Sequence, residues 1–129
     1  MGAGGDARDD RLLTPGRGPG WEKLAEAVAT QVPPAEIETI YVFRPYKREG
    51  REWGTAVVTR RASDGRLRVY TGKYMLVMRG KERGRSAVQV TEVALSPADV
   101  VERVMQATAD RTGDAEPPAA LGPAVWYEG

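Results

Sequence analysis

Apolar positions fall into two rhythms along the chain. Trp21, Leu24, Ala25, Val28 and Val32 recur at spacings of three and four, which draws one apolar stripe on a helix that Pro33 and Pro34 end. From Ile37 the period shortens, and β-branched and aromatic residues come in runs separated by turn chemistry. Four strands are predicted: Ile37 to Tyr46, Glu52 to Arg61, Arg66 to Arg79 and Ser86 to Leu95. Lys47-Arg48-Glu49-Gly50, Ser63-Asp64-Gly65 and the stretch from Gly80 to Arg85 connect them, and Asp-Gly suits the positive φ of a tight hairpin. The third strand would reach roughly 46 Å at about 3.3 Å per residue, so a bend at Gly72 is expected.

Ser96-Pro97-Ala98-Asp99 has the chemistry of a helix start: a capping hydroxyl, a proline in the first turn and an acid that meets the helix dipole. Val100, Val101, Val104, Met105 and Thr108 form the packed face of this second helix. Asp99 and Arg103 are spaced to pair, and Gly113 is placed to end it. The fold class expected is therefore α+β: an N-terminal helix, a four-stranded curved antiparallel meander, and a C-terminal helix packed on the sheet. Residues 21–112 make one domain, within the range that 129 residues allow. Residues 1–20 read as a Gly/Pro-rich flexible tail, and 113–129 as a Pro-rich tail ending in the apolar Val125-Trp126-Tyr127.

Charge sharpens this picture because it is uneven. The chain carries 19 basic and 18 acidic side chains, but Glu36 to Leu95 holds 13 against 7, while Ser96 to Gly129 holds 2 against 6. The sheet is basic and the C-terminal third acidic. Strand alternation sends Leu67, Val69, Thr71, Met75 and Val77 to one side, and Arg68, Tyr70, Tyr74, Leu76 and Met78 to the other. Ile40 and Val42 likewise oppose Tyr41 and Phe43. Two short helices suffice to cover one face of such a sheet, which would leave the second face apolar, aromatic and basic.

Candidate chemistry is narrow. The chain has no Cys, His or Asn, which removes disulfides, thiolates, zinc clusters, imidazole catalysis and N-glycosylation. Its three serines, Ser63, Ser86 and Ser96, sit in a turn, a strand start and a cap. Glu36, Glu38, Glu52 and Glu92 lie in or beside strands, with nothing in their spacing that makes two converge. Gly16-Arg17-Gly18-Pro19-Gly20 opens a helix but fails the phosphate-loop pattern: no strand precedes it, Pro19 lacks an amide donor, and no Lys-Ser or Lys-Thr follows. No enzyme, cofactor or metal is expected.

Binding is the expectation that remains. The first reading is a non-enzymatic accessory subunit that docks on a larger protein assembly, one with a membrane-protein surface included. Its sheet rings Tyr41, Phe43, Tyr70 and Tyr74 and the terminal Trp126 and Tyr127 would make the contacts. The alternative is a single-stranded nucleic-acid module that stacks bases on the same sheet rings. Arg44, Arg68, Arg79, Lys81, Arg83 and Arg85 would then hold phosphates, the last four as a comb if extended. Lys47, Arg48 and Arg51 form a weaker basic group, diluted by Glu49 and Glu52. Pairing of sheet edges into a homo-oligomer is a third reading. The sequence has no apolar run long enough for a transmembrane segment and no secretory-type start, so a cytoplasmic location is expected.

Overall fold

The computed structural model describes residues 18–121. Helix α1 (Pro19–Gln31) and a single 3₁₀ turn (Pro34–Glu36) lead into β1 (Ile37–Val42), β2 (Tyr46–Arg48), β3 (Arg51–Arg61), β4 (Leu67–Val77) and β5 (Ser86–Val93). Helix α2 (Pro97–Thr112) and β6 (Ala119–Leu121) follow. The strands form one antiparallel sheet in the order β5-β4-β3-β1-β6, with β2 also paired to β3. The class is the α+β meander expected, with six strands where four were predicted.

Both extra strands have physical causes. Phe43 still donates its N–H to Thr55 at 3.1 Å, but Pro45 has no N–H to give, and the predicted first strand breaks there. Pairing resumes with Tyr46 opposite Trp53, whereas Val42 lies opposite Ala56. One extra residue has entered on this side, a bulge that shifts the register by one. The other strand arises on a stretch expected as tail, where residues 119–121 pair with β1 and cover that edge. β4 is shorter than predicted, and its register runs unbroken through Gly72. Gly72 serves packing instead: a Cβ there would stand 2.8 Å from Leu24 of α1.

α1 starts on Pro19, where a missing N–H costs little, and ends as Val32 turns extended before Pro33. Its stripe of Trp21, Leu24, Val28 and Val32 is buried against Ile40, Ala56, Val58 and Tyr70. α2 is capped by Ser96, whose hydroxyl accepts the Asp99 N–H at 3.2 Å, and closes on Gly113 at φ 77°. No ion pair joins Asp99 to Arg103 among the described residues. α2 packs Val100, Val104 and Met105 on Phe43, Val57 and Val69, the opposite face of the sheet from α1. The expectation of one covered and one bare face is therefore corrected: each face has its own helix. No helix among the described residues is long and apolar enough to cross a membrane.

Candidate functional site

With a helix on each face, most of the predicted aromatic platform is interior. Tyr70 and Tyr74 lie beneath α1 and Phe43 beneath α2, each no more than 4% exposed, and only Tyr41 is half-buried. They also divide between the two faces, as the strand alternation requires. The tyrosine hydroxyls are engaged. Arg60 Nη1 donates to Tyr70 Oη at 3.1 Å and its Nε to Glu36 at 2.7 Å. The Glu36 carboxylate, with help from Tyr70, holds that guanidinium above its usual pKa. Tyr74 donates to Glu52 and meets Trp21 edge to face at 6.2 Å. Its ring passes over Gly54 so closely that a Cβ there would fall 2.1 Å from it. The assignment of Phe43, Tyr70 and Tyr74 as partner-stacking rings is corrected on these grounds, since they are core. Trp126 and Tyr127 lie outside the described residues.

The predicted phosphate comb does not form either. Lys81 to Gly84 make turns, with Arg83 N–H on the Gly80 carbonyl and Arg85 N–H on the Glu82 carbonyl, and both glycines adopt positive φ. Arg85 pairs with Glu82 at 2.9 Å, Arg44 with Glu116 at 3.3 Å and Arg68 with Asp64 at 4.0 Å. Lys81 and Arg83 stay exposed in the turn. Arg79 lies against Gly50, so the turn after β4 meets the hairpin between β2 and β3. Of the remaining carboxylates, Glu38 pairs with Arg61 at 3.3 Å and Glu92 is exposed on β5.

A different constellation assembles on the α2 face, at the end of the sheet that α2 does not reach. β3 and β4 have 11 residues each and span roughly 36 Å, whereas the 16 residues of α2 span about 24 Å. The bulge then decides which rings occupy the uncovered part. An unbroken first strand would place Tyr46 opposite Glu52, on the α1 face; the one-residue shift turns it onto the α2 face beside Trp53. The two rings stack with centroids 6.5 Å apart and planes 18° from parallel. The hairpin that holds them closes through Glu49 at φ 53° and Gly50 at φ 76°, as a two-residue type I′ turn demands.

Trp53, Met75 and Ala87 follow one another across β3, β4 and β5 and floor a concavity of about 500 Å³. Arg48 and Arg51 of the hairpin, Lys73 of β4 and Arg111 from the last turn of α2 surround it, against one carboxylate, Glu49. Among the described residues none of these four cations forms an ion pair. Arg111 Nη1 donates to Tyr46 Oη at 3.3 Å and so links α2 to the stacked rings. A second hollow of about 280 Å³ shares Tyr46, Lys73 and Arg111 and runs under α2. Trp53 remains 36% exposed, so its ring can be reached from solvent.

Sequence reasoning singled out Arg48 and Arg51 as a minor group and missed Tyr46, Trp53, Lys73 and Arg111. The signal available was the strand alternation that sets Trp53 on the face of Val57; the Pro45 bulge hid the rest. No family model, curated protein or solved structure matches the chain.

Proposed function

We propose that this protein is a non-enzymatic binding module that takes single-stranded nucleic acid on the α2 face. Bases stack on Trp53 and Tyr46, and Arg48, Arg51, Lys73 and Arg111 carry the phosphates. The observation that carries this reading is the stack of half-buried Tyr46 on exposed Trp53, ringed by four cations that have no carboxylate partner among the described residues. Sequence-tolerant binders of single strands combine the same two parts, a π surface for bases and positive charge along the backbone. The long pocket suits an extended chain better than a compact small molecule, since its two hollows share Tyr46, Lys73 and Arg111. Docking on a larger protein assembly is the competing use of this surface.

Fluorescence anisotropy with labelled single-stranded oligonucleotides across a salt series separates the two. Four phosphate contacts give a slope of log affinity against log salt near about −3. Trp53→Ala should weaken binding strongly while leaving the slope nearly unchanged. An acidic peptide that binds as well as the oligonucleotide, with no loss in Trp53→Ala, would transfer the site to a protein partner.

A further inference from the structure

We propose that β5 is a self-complementary edge through which two copies of this chain join into one continuous antiparallel sheet. The inference concerns the sheet edge and goes beyond the nucleic-acid reading. β6 pairs against the far side of β1, but among the described residues β5 pairs only with β4, so the described sheet ends there on open backbone. Val77 donates its N–H to the Arg85 carbonyl at 2.8 Å, which sets the alternation along β5. Residues 87, 89, 91 and 93 turn their backbone groups to β4; Ser86, Val88, Val90 and Glu92 turn theirs outward. Gln31 Nε2 reaches the Val90 carbonyl from outside at 3.5 Å, in keeping with that alternation, and its exposed side chain is free to withdraw.

The edge lacks the usual defences. β5 contains no proline or lysine, its register with β4 is unbroken from Ser86 to Val93, and its single charge is Glu92. Centred on Gln89, an antiparallel copy sets Val88 against Val90 twice and Glu92 against Ser86 twice. Gln89 meets its own equivalent on the other face, and Ala87 meets Thr91. No like charges oppose, and every outward N–H and C=O from Ser86 to Glu92 gains a partner. The two-fold axis of such a pair stands perpendicular to the sheet, so both α1 helices fall on one side. α1 packs over β4 and β5, which separates the two helices by roughly 10–14 Å, room enough for helix packing distances of 8–10 Å.

The same symmetry puts both concavities on one surface. Ala87 and Gln89 border each of them, and Lys73 lies opposite Gln89, so the two Lys73 residues would stand three strand spacings apart, about 14 Å. If the nucleic-acid reading holds, the dimer offers one strand a continuous channel; dimerisation itself does not depend on that reading.

Sedimentation equilibrium of the full chain without nucleic acid tests it, and the dimer is expected. Gln89→Lys places two ammonium groups face to face and should raise the dimer dissociation constant at least tenfold with unchanged circular dichroism. A register-specific arm exploits the lack of cysteine. Gln89→Cys stands in a close non-hydrogen-bonded pair across the axis and should form an intermolecular disulfide on mild oxidation, whereas Thr91→Cys should not. A monomer at all concentrations, a dimer indifferent to Gln89→Lys, or cross-linking by Thr91→Cys in place of Gln89→Cys would each overturn the proposal. A monomer that still binds oligonucleotide would discard the dimer and keep the binding site; a dimer that binds none would do the reverse.

Discussion

The two faces of the sheet draw on similar residues and come to different ends. On the α1 face two tyrosines are sunk into the core, and glycines make room for its side chains: Gly20 and Gly54 for the Tyr74 ring, Gly72 for Leu24. Their hydroxyls are returned to polar partners at the rim, Arg60 and Glu52. On the α2 face the helix leaves one end of the sheet open, and a bulge brings a tyrosine there beside the tryptophan. The four cations around these rings form no ion pair among the described residues. An aromatic residue in a strand is thus neither core nor site by its own nature; the small residues opposite it and the reach of the covering helix decide.

The strongest way to break the comparison is to put a side chain under the closed face. Gly54→Ala drives a methyl into the Tyr74 ring, and overpacking of a core in which a backbone strand is the other wall should cost about 3 kcal/mol. Leu24→Ala, which opens a cavity on the same face, should cost a comparable ~3 kcal/mol. Urea unfolding followed by circular dichroism reads both. Neither change should alter oligonucleotide affinity under conditions where the protein is folded. Trp53→Ala is the mirror experiment: a ring already 36% exposed should cost about 2 kcal/mol of stability, less than either change on the closed face. Its effect should fall on binding, where losing one stacked base is worth about 1–3 kcal/mol, or roughly 5- to 150-fold in affinity. Equal losses of stability and no loss of binding would make the two faces the same kind of surface.

Much of the fold was legible because local signals agreed. The helix stripe at 21, 24, 28 and 32, the Ser96-Pro97 start, the Gly113 end and the Asp64-Gly65 turn each name their element from residue chemistry alone. What escaped was decided at long range. Which face each helix takes depends on the connections, and the pattern of β4, apolar on both sides, was the overlooked clue: a strand with two apolar faces needs two covers. The site escaped for a smaller reason. Pro45 broke one hydrogen bond, the register moved by one residue, and Tyr46 changed sides. A charge cluster that is dense in sequence, Arg79 to Arg85, was the more visible signal, yet two turns and Glu82 dissolve it. Lys73 and Arg111, isolated in sequence, gather at the concavity only through the sheet register and the length of α2.

That contrast between clustered and gathered charge gives the smallest predicted effects. Each of Arg48, Arg51, Lys73 and Arg111, if it meets a phosphate, contributes about 0.7 to the salt slope for a single strand. Lys73→Gln should therefore lower the slope by about that amount and weaken binding a few-fold at low salt, with a still smaller change near physiological salt. Arg85→Gln removes a largely exposed cation that Glu82 already holds at the base of the turn between β4 and β5, so its effect on slope and affinity should vanish within error. Anisotropy titrations of the two variants in parallel across one salt series check this. Net charge falls by one in each, so a general attraction between a basic sheet and a polyanion would lower both slopes alike. Only a built site lowers the first and spares the second.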